Sequence, residues 1–173
     1  MLKKLLNATG IVLLLLLIAL VLPLTLPKLF GYRLYNVLTP SMEPAIPVNS
    51  VIYAKSVDPD SLEVGDVIVF LIAGGLDTVE THRIVAVDRT EKAFVTKGDA
   101  NLSEDQNRVL YSGVIGKVVC HIPFYGSFAE WLHSTRGIAV CSVLFAAVLL
   151  MFVTADRIKP RGKNELRKNT TFC

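Results

Sequence analysis

Cysteine and histidine are scarce in this 173-residue chain, three of each, and neither set is spaced to pair or to hold a metal. Cys120, Cys141 and Cys173 imply no disulfide framework, and His82, His121 and His133 imply no zinc centre; no cofactor is expected. Basic charge is missing where a nucleic-acid binder needs it. Residues 28–136 carry ten Lys/Arg against thirteen Asp/Glu, whereas 1–27 is +2 and 137–173 is +4. A nucleic-acid ligand calls for the basic excess on the folded part, so that class of partner is excluded. Charge is absent altogether from Ala8 to Leu26, 19 residues, and from Gly137 to Thr154, another 18. No internal repeat is visible, and the leucine run near the start is the one low-complexity stretch.

What is abundant is apolar: 52% of the residues are hydrophobic, more than a soluble domain carries, and the excess sits in those two uncharged runs. Each makes a helix roughly 28 Å long, close to the thickness of bilayer hydrocarbon. Lys3 and Lys4 resemble the basic start of a secretory signal. The run that follows is longer than a typical signal core, however, and ends in Leu22-Pro23-Leu24-Thr25-Leu26-Pro27 without a small-x-small cleavage pattern. Residues 1–27 therefore read as an uncleaved anchor, with Pro23 and Pro27 predicting a frayed or kinked end. The second run, 137–154, precedes Arg157, Lys159, Arg161, Lys163, Arg167 and Lys168, a cluster that stays cytoplasmic and that also suits anionic lipid. Both termini are then cytoplasmic, with 155–173 a basic tail and the acidic 28–136 on the outer face of the cell membrane.

Within 28–136, about 109 residues, there is room for one compact domain. Strand patterns fill it: Ser50–Lys55, Val67–Ile72, Val79–Val87, Ala93–Lys97 and Val114–Ile122, with Asp58-Pro59-Asp60, Gly74-Gly75 and Asp88–Lys92 at the breaks. Val67–Ile72 is continuously apolar, as a strand buried on both faces is. Helical periodicity is confined to Ser127–His133. The expected fold is mainly β, an antiparallel domain between two transmembrane helices.

Three segments could carry chemistry. Ser41 lies in Leu38-Thr39-Pro40-Ser41-Met42-Glu43-Pro44, about a dozen residues beyond the first helix, on a turn that its prolines stiffen. That suits a nucleophile, since misplacement by about 1 Å costs on the order of 100-fold in rate; on composition alone, a proline-rich linker with a tolerated serine is the commoner reading. His82, on a strand beside Ile84 and Ala86, is either a hydrogen-bonded core histidine or a general base. The loop Thr96–Gln106 holds three carboxylates, Asp99, Glu104 and Asp105. It is a solvated turn, or it supplies the acid that orients His82; spacing does not choose.

Taken in order, Ser41-Met42-Glu43-Pro44, His82-Arg83 and Lys97-Gly98-Asp99 with Asp105 resemble the type I signal peptidases. The likeness is to the endoplasmic-reticulum-type branch that archaea, some Gram-positive bacteria and eukaryotes share, and it covers roughly residues 36–125. The resemblance implies a signal-peptidase-type β domain and a membrane-bound serine endopeptidase that cleaves signal peptides from exported preproteins. Ser41 is then the nucleophile, His82 the general base, Asp105 the essential acid and Asp99 a supporting one. The Ser41 N–H and the Thr39 hydroxyl would hold the oxyanion. Pro40 stands where the common pattern has glycine. Lys97, 56 residues after Ser41, has the separation of a Ser-Lys dyad but adjoins the acid-bearing motif, which leaves His82 as base. Shallow pockets for small side chains are expected from Met42, Ile52 and Val69, with the peptide added as a strand. The implied partners are exported preproteins, the bilayer and the protein-translocation machinery. The competing readings are a non-catalytic membrane module that binds exported chains or a partner peptidase, and a processing enzyme dedicated to one secreted product.

Overall fold

The computed structural model describes residues 2–72 and 78–158. The Gly74-Gly75 break, the basic tail from Lys159 onward and Cys173 lie outside the described residues. The elements are α1 (Leu2–Leu29), β1 (Tyr32–Asn36), β2 (Val51–Lys55), β3 (Val67–Leu71), β4 (Val79–Asp88), β5 (Ala93–Lys97), β6 (Val109–Leu110), β7 (Val114–Ile122), α2 (Gly126–His133) and α3 (Thr135–Arg157). The chain divides into two compact units, one holding α1 up to Leu20 together with α3, the other running Val21–Ser134.

In the first unit both helices are long and apolar enough to cross a membrane, and their apolar lengths are almost wholly exposed. Lys3 Nζ near the start of α1 bonds Asp156 Oδ1 near the end of α3 at 3.1 Å, so the two run antiparallel. Gly10 lets α1 approach the Phe152 ring: a Cβ there would stand 3.1 Å from it.

The second unit is a seven-stranded antiparallel sheet in the order β1-β2-β7-β3-β4-β5-β6. The long β7 pairs β2 through its second half and β3 through its first, so it stitches two halves together. Each half buries its own cluster. Met42, Ile46, Ile52, Ala54 and Val69 form one; Leu62, Ile68, Phe70, Ile84, Phe94 and Val109 form the other. Strand β3 feeds both, Val69 to one side and Ile68 and Phe70 to the other, which explains its unbroken apolar run.

Three features depart from the sequence expectations. Strands β1 and β6 are additional. In β4 the register to β5 shifts between Ile84 and Ala86. This bulge reverses the alternation, so Ala86 is exposed and does not share the buried face of His82 and Ile84. Helix α1 also runs through both prolines to Leu29 and does not fray before them. Pro27 has no N–H to give the Pro23 carbonyl four residues back, and the Tyr53 hydroxyl donates to that carbonyl instead, at 3.0 Å. Burial, with Cys120 and Tyr125 nearby, raises the Tyr53 pKa and keeps the phenol a donor. Tyr53→Phe leaves a carbonyl without its partner and is expected to destabilise this unit by about 1–2 kcal/mol; unchanged urea midpoints would contradict the account.

At the far end Asn49, in the left-handed region at φ 67, accepts the Ser127 hydroxyl at 2.8 Å through Oδ1. Its backbone carbonyl takes the Gly126 N–H at 2.8 Å, and Asn36 Nδ2 donates to Glu130 Oε1 at 2.8 Å. These bonds fix α2 against the end of β1 and the loop before β2.

Candidate active site

Ser41 lies on a single 3-10 turn, Pro40–Met42, which Thr39 enters in extended conformation. Pro40 belongs at the first position of such a turn, where its fixed φ fits and its missing N–H has no acceptor to lose. The turn is held from two sides. Met42 is buried in the β2–β3 cluster, and Ala100 N donates to the Ser41 carbonyl at 2.9 Å. Gly98 is needed for that approach, since a Cβ there would lie 2.6 Å from Ser41 O and 2.8 Å from Asn101 Nδ2. The side-chain hydroxyl of Ser41 lies 3.2 Å from that of Thr39. Ser41 and Met42, the first donors of the turn, have no acceptor within it, the arrangement an oxyanion needs.

His82 is 2% exposed, on the inward face of β4, edge-on to Phe70. Its Nδ1 is 2.6 Å from Asp105 Oδ2. Thr96, fully buried on β5, donates its hydroxyl to the same oxygen at 2.7 Å, and the Asp105 N–H donates to the Thr96 carbonyl at 2.9 Å. A carboxylate on Nδ1 places the neutral imidazole's proton there and leaves the Nε2 lone pair open as an acceptor. Nε2 is buried and has no hydrogen-bond partner among the described residues; the nearest carboxylate oxygen is Glu80 Oε1, at 3.6 Å. An unpaired buried polar atom costs about 1–3 kcal/mol, a cost that recurs at sites awaiting a reacting group. Helical turn and strand are packed together, the Pro40–Met42 turn against β4. The hydroxyl-to-imidazole bond is not made; in such sites it commonly tightens only when substrate is bound.

Asp99 does not touch His82. Its two oxygens take the Arg83 fork, Nε at 2.8 Å and Nη2 at 2.6 Å, while Arg83 Nη1 donates to Gly65 O at 2.8 Å. The bond to Asp99 raises the pKa of the guanidinium. Asp99 thus fixes the 98–105 loop from the side away from His82. Lys97 pairs across the sheet with Arg83, and residues directly opposite share a face, so Lys97 also points away from His82.

Beside Ser41 runs a groove of about 310 Å³, lined among others by Tyr35, Leu38, Met42, Val79, Glu80 and Thr81. Strand β4 pairs β3 from Val79 onward but β5 only from Arg83, which leaves one edge of Val79–His82 without a strand partner among the described residues. Met42 reaches this groove. Ile52 and Val69, at 1% and 0% exposure, are sealed in the core and do not. Both pack into the cluster around Met42 and Ile46, so these two apolar residues expected to form shallow pockets are instead part of the core of one half of the sheet. Thr96 and Glu80 are site residues that the sequence does not single out, and Arg83 enters there only as the motif neighbour of His82 without a role of its own; the alternation of Phe94 and Thr96 on β5 is the one signal for Thr96. Among the described residues no group of three or more metal-ligating side chains occurs.

No protein-family model matches the chain. Over 82 residues it is 42% identical to signal peptidase I W of Bacillus subtilis (strain 168), covering 46% of this chain and 42% of the relative. Over 100 residues it is 30% identical to the signal peptidase complex catalytic subunit SEC11C of Homo sapiens, 52% of each, and the Mus musculus protein matches equally. The chain spans about half the length of the curated relatives it matches.

Proposed function

We propose that this chain is a membrane-bound serine endopeptidase that removes signal peptides from exported preproteins, a prokaryotic relative of the two named proteins. The observation that carries the reading is the Asp105–His82 pair with Nε2 open, on the strand against which the Ser41 turn packs. His82 takes the Ser41 proton as Oγ attacks the scissile carbonyl, and the Ser41 N–H and Thr39 hydroxyl stabilise the oxyanion. The imidazolium, steadied by Asp105, then returns the proton to the leaving amine. Water, deprotonated by His82, then attacks the ester that joins the signal peptide to Ser41. The ester bond breaks, the signal peptide leaves with a free carboxylate, and the imidazolium returns its proton to Oγ. Asp99 serves by holding the loop that carries Asp105. The substrate lies along the open edge of Val79–His82 as an added strand, its small side chains directed at the groove. The charge pattern around the two spans supports cytoplasmic termini and an outward-facing β domain, where preproteins emerge from the translocation machinery.

The test is processing of a preprotein in membranes that hold this chain as the only peptidase of its kind. Ser41→Ala is expected to abolish processing while the protein remains folded. Undiminished processing would favour a non-catalytic module that binds exported chains.

A further inference from the structure

We infer that Glu80 selects the residue just after the cleaved bond, favouring preproteins whose mature part begins with a basic side chain over those beginning with an acidic one. This rests on the peptidase reading above and names the substrate class of that site. Glu80 shares the His82 face of β4, two residues away, and its Oε1 is 3.6 Å from Nε2. Nε2 must hand its proton to the leaving amine, so the nitrogen of the first mature residue comes within hydrogen-bond reach of Nε2. Glu80 is then within one side-chain length of that residue.

A second cavity extends the path. It measures about 410 Å³ and is lined by Phe70, Asp105, Arg108, Leu110 and Ser112 among others, and it shares Ile72 and Glu80 with the Ser41 groove. A peptide whose signal part fills the Ser41 groove continues past Glu80 into this cavity with its mature part. The charges there are otherwise committed. Asp105 serves His82 and Thr96, and Arg108 is bound by Asp88 at 2.8 Å. No Lys or Arg pairs with Glu80 among the described residues, and its side chain is 39% exposed. Among the described residues lining the Ser41 groove it is also the one charge. A carboxylate in that position attracts a cation on the incoming chain and repels an anion.

The experiment compares three preproteins that differ only in Lys, Gln or Glu at the first mature position, cut by the full-length wild type and by Glu80→Gln. In the wild type at low salt, kcat/KM is expected to fall roughly fivefold from Lys to Gln and roughly fivefold again to Glu. In Glu80→Gln the Lys-to-Glu ratio is expected to collapse towards one. An unchanged ratio overturns the inference, because a role of Glu80 on His82 alone would slow all three substrates equally. Should Glu80→Gln cut too slowly to measure, the same ranking is read as Kd for the three uncut preproteins on Ser41→Ala with and without Glu80→Gln. There too a ranking unaffected by Glu80→Gln overturns it. A wild type that cuts none of the three refutes the peptidase reading itself, a result distinct from three substrates cut at one rate.

Discussion

Asp105→Asn is expected to lower kcat for preprotein cleavage by about 10⁴-fold while the protein stays folded. The carboxylate oxygen 2.6 Å from His82 Nδ1 holds the tautomer in which Nε2 is the open acceptor. An asparagine amide turned towards Nδ1 donates to it, forcing the ring proton onto Nε2, where it blocks acceptance from Ser41. Asp99→Asn provides the contrast. It weakens the two-pronged bond to Arg83 without touching His82, so its main effect is a lower unfolding midpoint, with a smaller loss of activity. Single-turnover rates and urea midpoints on both variants separate the two. Equal losses of rate would contradict the division of roles between these carboxylates.

Gly98→Ala is expected to cost about 100-fold in kcat/KM, the scale on which a nucleophile displaced by about 1 Å loses rate. The added Cβ would lie 2.6 Å from the Ser41 carbonyl oxygen, and a backbone atom cannot rotate out of the way. The Ser41 turn has to move, whereas the His82–Asp105–Thr96 bonds need not. The loss is therefore expected in the kinetics of an otherwise folded protein, and full activity would show that the turn has slack. This is a steric reason for a glycine between Lys97 and Asp99, independent of any resemblance.

The strands were legible where alternation or an apolar run is long enough to see. Strands β2, β3, β4, β5 and β7 fall within a residue or two of the pattern, and β3 is buried on both faces as its composition demands. Strand β1 escaped because Tyr32-Arg33-Leu34-Tyr35-Asn36 directly follows a proline-bearing helix and gains its conformation from pairing with β2. Strand β6 is only two residues long. Of the frayed or kinked end expected for α1, fraying does not occur, because the Tyr53 hydroxyl that compensates Pro27 is a contact local propensity cannot see. The site divides in the same way. Ser41, His82 and the acidic loop are visible as residue types, but which acid meets the imidazole depends on a loop closed by Thr96 and Arg83, contacts set in space. The pocket expectation failed for Ile52 and Val69 because being apolar and near in motif order equally describes a core residue.

The central claim is that His82, held by Asp105, activates Ser41. Its most direct test is cleavage of a model preprotein by the purified wild type, His82→Ala and Lys97→Arg. Loss of cleavage in His82→Ala with most activity kept in Lys97→Arg is the expected result, since Lys97 lies across the sheet from Arg83 and away from the imidazole. Full activity in His82→Ala together with loss in Lys97→Arg would contradict it and replace the mechanism with a serine–lysine dyad.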